Sequence, residues 1–240
     1  MSLFTPEPLS GRAMPALFIT VAFGFGGFLL GGVTTAGAVA GTAAAFCIYL
    51  GLGLGGFVTL VAVFVITLLV TRLGYQGKQQ LGLAEDRSGR HAGQVLANLA
   101  SAAVFAVIAI RYEWLAVASV AALAEAAADT TQSEIGQISS RRAWLITGFR
   151  EVRPGTNGGV TLSGTLAGMV AVLLVVFTAR AIDVITPGQL WITALAGFLG
   201  TIVDSLIGAT IERRGWVNND SVNFVSTAAA GLLALTFLRI

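Results

Sequence analysis

The chain has 240 residues, of which 55% are hydrophobic and only 11% charged, with a mean hydropathy of +0.84. A water-soluble domain carries about 25% charged residues, so these figures exclude an ordinary soluble protein and describe an integral membrane protein. The formal charge of +2 is small and suggests no nucleic-acid partner, while the lone Cys47 sits in an apolar run and can form no internal disulfide.

A spanning helix needs about 20 apolar residues. Cutting the chain at its polar breaks yields about eight hydrophobic segments, near 15–31, 34–51, 53–72, 92–111, 113–136, 161–181, 187–210 and 220–239. The expected fold is therefore an all-α polytopic membrane helical bundle, with some segments broken or re-entrant, the first pair conceivably as one unit. No polar linker is long enough to divide domains, so residues 1–240 read as a single transmembrane domain. The first apolar run follows only Arg12 and further spans come directly after it, so no cleavable signal is expected. Gly27-x-x-x-Gly31, Gly37-x-x-x-Gly41, Gly51-x-x-x-Gly55 and Gly164-x-x-x-Gly168 read as sites of close helix approach.

The charges set a topology. Arg72, Lys78, Arg87 and Arg90 follow segment three, Arg141, Arg142, Arg150 and Arg153 follow segment five, and Arg213 and Arg214 follow segment seven. With eight spans these loops share one membrane face, and only Arg12, Arg111, Arg180 and Arg239 fall on the other. The positive-inside tendency makes the basic face cytoplasmic, with both termini outside. Topology alone accounts for Arg72, Arg87 and Arg141; the motif beside Arg150 and Arg153 gives those two a further role.

In chain order, the polar loop 73–91 comes first among the functional candidates. There Lys78 and Arg90 are placed to reach a phosphate chain, and His91 reads as a surface residue. Asn98, in segment four, reads as a polar bridge between helices. Segment five carries three carboxylates, Glu125, Asp129 and Glu134, where hydrocarbon should surround them, and each costs about 2.5–3.5 kcal/mol near a bilayer centre. On a helix Glu125, Asp129 and Ser133 share one stripe, whereas Glu134 is turned aside by roughly 140°. All three acids converge only if the helix unwinds near Ser133–Gly136. The plain alternative, snorkelling acids at a helix end, suits Glu134 better than the mid-span Glu125.

Arg150-Glu-Val-Arg153-Pro-Gly155-Thr156-Asn157-Gly158-Gly159 opens directly into segment six. Glycines let backbone N–H groups turn inward, and two arginines stand alongside, which suits phosphate oxygens. The Gly-Lys-Ser/Thr of a Walker A loop is absent, and a plain helix entry with Thr156 or Asn157 as N-cap is the alternative, but the density of arginines and glycines favours anion binding. Segment seven carries Asp204-Ser205 followed by Gly208 and runs in the same direction as segment five. Two acids at matching depth suit a hard divalent cation such as Mg²⁺, with an Asp–Arg pair as the alternative. The last motif, Asn218-Asn219-Asp220-Ser221-Val222-Asn223, supplies a cap from Asn219 or Asp220 and amides able to bind a nucleobase or sugar.

Ala128-Asp129-Thr-x-x-Ser133-Glu134-Ile-Gly136, Val152-x-Pro-Gly155-Thr-Asn-Gly-Gly159, Asp204-Ser-x-x-Gly208-Ala and Asn218-Asn-Asp-x-Val-Asn223 together resemble the membrane family of plant phytyl-phosphate kinase and animal transmembrane protein 19. The resemblance runs over nearly the whole chain, and more distantly reaches the CTP-dependent polyprenol kinases and phosphatidate cytidylyltransferases. One departure is Thr131-Gln132, which stands where that motif carries an aromatic and a small residue, so a changed lipid-facing wall is expected. The resemblance implies a kinase that moves a phosphoryl group from a nucleoside triphosphate, CTP foremost, to an isoprenyl monophosphate such as phytyl or geranylgeranyl phosphate.

On that reading Asp129, Glu134 and Asp204, with Glu125 as a further ligand, hold Mg²⁺. The 150–159 loop with Lys78 and Arg90 grips the triphosphate, and the 218–223 cluster takes the base or ribose at the cytoplasmic face. Two rival readings are a proton- or sodium-coupled transporter using the intramembrane acids and a lipid cytidylyltransferase.

Overall fold

Inside lipid every backbone polar group must find a partner within the protein, and this chain meets that demand almost entirely with helices. The computed structural model describes residues 9–139 and 142–239; Arg141, one of the bases assigned to topology, lies outside them. The helices are α1 (Leu9–Leu29), α2 (Thr35–Arg72), α3 (Tyr75–Gln80), α4 (Ala92–Ala109), α5 (Ala116–Ser139), α6 (Leu162–Ala181), α7 (Leu190–Thr210) and α8 (Asn219–Leu238). Between α5 and α6 a small antiparallel sheet of order β2-β1-β3 joins β1 (Ala143–Leu145) to β2 (Glu151–Val152) and β3 (Gly159–Val160). Among the described residues this sheet is an addition to the expected all-α bundle.

Straight, the 38 residues of α2 would extend about 57 Å, nearly twice the hydrocarbon thickness of roughly 30 Å. Gly53 resolves this with φ 67° and ψ −162°, a conformation that glycine adopts without penalty. The chain turns back there. Arg12 donates to the Leu50 carbonyl (3.3 Å) and Thr42 to that of Thr20 (3.5 Å), so residues 35–52 run antiparallel to α1. Phe23 stacks edge-on against Phe57 and Phe64 (5.3 and 5.2 Å between centroids), and Arg72 bonds the Leu30 carbonyl, so residues 54–72 run alongside α1 in its own direction. Segments two and three are thus the two arms of one hairpin.

Six helices among the described residues are long and apolar enough to cross a membrane, α2 counted once. The acid-bearing α5 is not among them, yet it is the axis of the bundle, packed by α2, α4, α6, α7 and α8. Val117, Ala118, Ala121, Ala122, Ala124, Ala127 and Ala128 are fully buried. Its carboxylates therefore face protein and not lipid, which is how intramembrane acids are tolerated. The helix runs unbroken through Ser139, so the unwinding expected near Ser133–Gly136 does not occur.

Contacts fix the directions. Ser119 donates to the Ala102 carbonyl (2.9 Å) and Arg90 to Thr130 Oγ1 (3.3 Å), so α5 returns antiparallel to α4. A side chain added at Gly164 would meet the Gln132 backbone, and one at Gly197 would meet Ala124, which places α6 antiparallel and α7 parallel to α5. One end of the bundle consequently gathers α3 with the 81–91 loop, the sheet and the 211–218 turn, and with them nine arginines and lysines of the basic set. Arg12, Arg111, Arg180 and Arg239 lie at the other end. There the Arg111 and Arg239 guanidinium groups sit over Tyr112 and Trp114 (5.2 and 5.7 Å), an aromatic girdle of interfacial type.

At the basic end α3 is pinned to α5 by a buried ion pair. Lys78, 1% exposed, donates to Glu134 Oε2 and to the carbonyls of Thr71 (2.6 Å) and Val70 (3.3 Å), which uses all three ammonium protons.

Two consequences are measurable by thermal unfolding in detergent. A Cβ at Gly51 would strike the Ala106 backbone, whereas one at Gly26 meets open space. Gly51→Val should cost about 1–3 kcal/mol through forced separation of α2 and α4, and Gly26→Ala should leave the midpoint unchanged. Glu134→Gln strands a buried ammonium and should cost about 3–5 kcal/mol, with most of it recovered in Lys78→Met/Glu134→Gln; a double variant no better than the single would show that the pair does not hold α3.

Candidate functional site

The parallel run of α5 and α7 brings Asp129 and Asp204 to the same depth. Gly200 makes the approach possible: a Cβ there would lie 2.6 Å from Glu125 Cγ and 2.8 Å from the Ala230 side chain. The two aspartates come within hydrogen-bonding reach of each other, and Ser226 on α8 donates to Asp204 Oδ2 at 3.3 Å. Glu125 lies one turn deeper, 1% exposed, with Oε1 unpartnered among the described residues. Facing carboxylates at this spacing require a shared proton or a cation between them.

Above the pair a polar cavity of about 410 Å³ opens at the basic end, lined by Asp129, Glu134, Asp204, Arg90, the Gly155–Gly159 loop, Asn219 and Asn223. Eleven of the residues singled out in the sequence thus meet in one chamber. The loop is held there by a second close approach: Gly158, at φ 72°, lies against the backbone of Ala209, and a side chain at Gly208 would meet Gly158 N at 2.9 Å. The glycine motif of the loop and the Asp204-x-x-x-Gly208 motif are two halves of one contact.

Several expectations find different outcomes. Lys78, expected to reach phosphate, is consumed by the Glu134 pair and lies outside the cavity lining. Glu134 does face the cavity, but with one oxygen committed to Lys78. Arg150 and Arg153 are exposed on the sheet and outside the lining, so Arg90 is the arginine that reaches the acids. Neither Thr156 nor Asn157 caps α6; Thr161 does, accepting from Gly164 N at 3.0 Å, and Thr156 instead closes a turn onto the Arg153 carbonyl (2.7 Å). Asn218, and neither Asn219 nor Asp220, caps α8 by accepting from Ser221 N (3.0 Å), and neither Asn218 nor Asp220 lines the cavity. His91 is exposed, as expected, and serves as the N-cap of α4, its Nδ1 accepting from Gly93 N at 3.1 Å. Gln132 is not on a lipid wall: it donates to Thr201 on α7 at 2.8 Å and lines the cavity.

Three amides lining the chamber carry an open acceptor, and of these only Gln137 was unmarked in the sequence. Asn98 donates to the Gln94 carbonyl at 2.8 Å, which leaves its Oδ1 buried and unpartnered among the described residues; Asn223 Oδ1 and Gln137 Oε1 share that condition, and all three residues line the cavity. Buried acceptors without donors are costly unless a ligand or water supplies the proton. Asn98, expected to bridge helices, instead donates within α4 and faces the cavity. Among the described residues no three Asp, Glu, His or Cys side chains form a closed metal cage.

A second cavity, about 450 Å³ and mostly apolar, lies beside the first among α1, both arms of α2, and α4. Phe23, Leu60, Val63, Phe64, Leu68 and Leu99 are among its walls, and Arg72, Arg87 and Arg90 stand at its polar end. Glu85, Asp86, Arg90 and Asn98 line both cavities and so form the partition. Arg90 is fixed in that partition by its backbone, which bonds the Gly32 carbonyl (3.1 Å) and Thr34 N (3.0 Å), and by its side chain at Thr130.

The model of the integral membrane protein family DUF92 matches residues 18–231. An uncharacterized membrane protein of Synechocystis sp. is 33% identical over 195 residues, covering 78% of this chain and 76% of its own, and one of Methanocaldococcus jannaschii is 34% identical over 179 residues, 74% of each. Protein VTE6, chloroplastic, of Arabidopsis thaliana is 30% identical over 225 residues, 87% of this chain and 68% of its own. No solved structure matches. With that coverage added to a bundle built around the acids of α5, the chain belongs to the integral membrane protein family DUF92, as a multi-pass member.

Proposed function

We propose that this protein is a lipid-phosphate kinase, transferring the terminal phosphoryl group of a nucleoside triphosphate, CTP foremost, to an isoprenyl monophosphate, which gives the isoprenyl diphosphate and releases the nucleoside diphosphate. The observation that carries this reading is the shared wall. A polar chamber floored by two facing carboxylates and an apolar chamber within the helices meet at Arg90, the arrangement a water-soluble donor and an amphiphilic acceptor require. The motif resemblance to the phytyl-phosphate kinase family supports the reaction class.

In this scheme the acceptor's phosphate rests at Arg90 and its tail in the apolar chamber. The triphosphate enters from the basic end, which the positive-inside tendency places in the cytoplasm, and lies against the backbone of the Gly155–Gly159 loop. The unpartnered oxygens of Asn98, Gln137 and Asn223 are placed to accept from the amino group of a base or from ribose hydroxyls. Transfer is a matter of alignment and charge neutralisation. The acceptor phosphate is already a nucleophile, so no general base is called for.

The facing pair fits Mg²⁺, which binds through one or two carboxylates and completes its shell with water and phosphate oxygens; Asp129 and Asp204 would hold it, and it would supply charge neutralisation between donor and acceptor phosphates. Glu134, tied to Lys78, is the weaker ligand of the three acids.

A second reading, a cation- or proton-coupled transporter, is favoured by one observation, the unpartnered Glu125 beneath the pair. Substrate movement into sealed vesicles without nucleotide would establish it. A cytidylyltransferase would leave a CMP-lipid, which product mass distinguishes at once.

With purified protein, prenyl monophosphates and labelled triphosphates, Asp129→Asn and Asp204→Asn should each lower turnover on the order of 10²–10³-fold at unchanged thermal midpoint, and chelation should stop the wild type until Mg²⁺ is returned. Turnover surviving both substitutions would remove the carboxylate pair from the reaction. Arg90→Ala should raise the KM for the lipid about 10- to 100-fold, whereas Arg153→Ala should change neither substrate's KM by more than about 2-fold. An equal response of the two arginines would overturn the partition assignment.

A further inference from the structure

The apolar chamber has a definite depth, and that depth bears on which acceptor the site takes. Along the second arm of α2 its walls run from Arg72 to Leu60, and along α1 and the turn after it from Gly32 to Phe23. At 1.5 Å per residue the longer wall is roughly 18 Å deep. The lower end is closed by buried core: Leu60 is 2% exposed, and behind it Phe57, 7% exposed, stacks against Phe23. Small residues widen the channel above this floor, with Gly24, Gly27 and Gly41 on its walls.

We infer that this chamber is a length-limited seat for the isoprenyl tail of the monophosphate acceptor, with Gly27 keeping the channel open and Leu60 and Phe23 setting its floor. The proposal rests on the kinase reading for the identity of the headgroup. The occupant follows from charge and continuity: Arg72, Arg87 and Arg90 stand at the polar end, where a headgroup phosphate would lie, and the wall beyond them is the chamber of the carboxylate pair. Three bonds of an extended chain advance about 3.5 Å, so an isoprene unit of four main-chain bonds advances roughly 4.5–5 Å and the seat takes between three and four units. Lipid and chamber are equally apolar, so length preference arises from packing and not from removal of water.

Gly27 is the position that tests this. A Cβ there makes only ordinary contacts, at 3.5 Å to Phe64 and 3.6 Å to Val33, so a side chain is accommodated at its base while its far end fills the channel. The experiment uses the full chain in detergent with prenyl monophosphates of one to six isoprene units. Retention without nucleotide is read by native mass spectrometry, and kcat/KM is read with CTP and Mg²⁺.

In the wild type, retention should rise to between three and four units and then level off. Gly27→Leu should lower retention and kcat/KM for acceptors of three or more units about tenfold, while the one-unit acceptor stays within about twofold. Leu60→Ala should move the plateau toward longer chains.

A flat length series, a uniform loss in Gly27→Leu with no plateau shift in Leu60→Ala, or phosphatidylglycerol retained as firmly as the prenyl phosphates would each overturn the proposal. Length-dependent retention with no product from any triphosphate would defeat the kinase reading and leave the seat standing; product formation with a flat series would do the reverse.

Discussion

Carboxylates inside a bilayer must be enclosed by protein, and the architecture follows from enclosing those of α5. The helix holds Glu125, Asp129 and Glu134 within 24 residues. It can do so because it is the axis of the bundle, and it can be the axis because its membrane-deep half is largely alanine. Small side chains let five helices crowd around it. Glycines on the neighbours complete the fit: Gly164 seats α6 on the Gln132 backbone, and Gly200 seats α7 beside Glu125. The price of acids at depth is thus met by packing density and not by a partner charge on each acid, since only Glu134 has its own lysine.

Crowding at the axis has a consequence at the periphery. With α5 to α8 drawn together around the acids, α1 and the hairpin of α2 pack against the remaining side, and their glycine-rich faces leave an apolar chamber where they meet α4. The partition between this chamber and the polar one is a loop residue, Arg90, locked by Gly32 and Thr34 on the connection between α1 and α2. On the proposed reading, a cation that faces hydrocarbon on one side and carboxylates on the other selects an amphiphile with an anionic head. Neither chamber alone would do so.

Much of this was legible in the chain. The eight apolar segments correspond to α1, the two arms of α2, α4, α5, α6, α7 and α8, and the break at Gly53 is a reversal between segments two and three. Asp129 and Asp204 were recognisable as partners because both stand near the basic end of spans running the same way. Side-chain allegiance was not legible. Lys78 and Arg90 lie in one polar loop and look equivalent, but Lys78 falls on the face of α3 that meets Glu134, while Arg90 lies where the loop reaches the acids. Arg150 and Arg153 belong to the glycine loop by sequence, yet the sheet turns them outward. The apolar chamber was not legible, since its space is left by side chains that glycines on α1 and α2 lack, and those glycines read as packing motifs.

The depth of the acid pair explains the rest of the polar lining. Asp129 lies ten residues before the end of α5, about 15 Å along the helix axis, which is too deep for the interface to supply water unaided. Any hydrophilic donor reaching it needs a wetted shaft through the outer third of the bundle, and the shaft must be polar without adding charge to a region that already holds several acids. Amides meet that requirement. Gln94, Asn98, Gln132, Gln137, Asn219 and Asn223, drawn from three helices, line the passage, and an amide at depth costs far less than an ion because its two ends can pair with backbone or solute. Where such a residue has one end satisfied and the other open, as Asn98 has toward the Gln94 carbonyl and the cavity, it contributes to the wall of the bundle and to the solvent of the shaft at once. The polar residues scattered through otherwise apolar helices are therefore the part of the sequence that makes the carboxylate pair reachable, just as the alanines of α5 are the part that makes it possible.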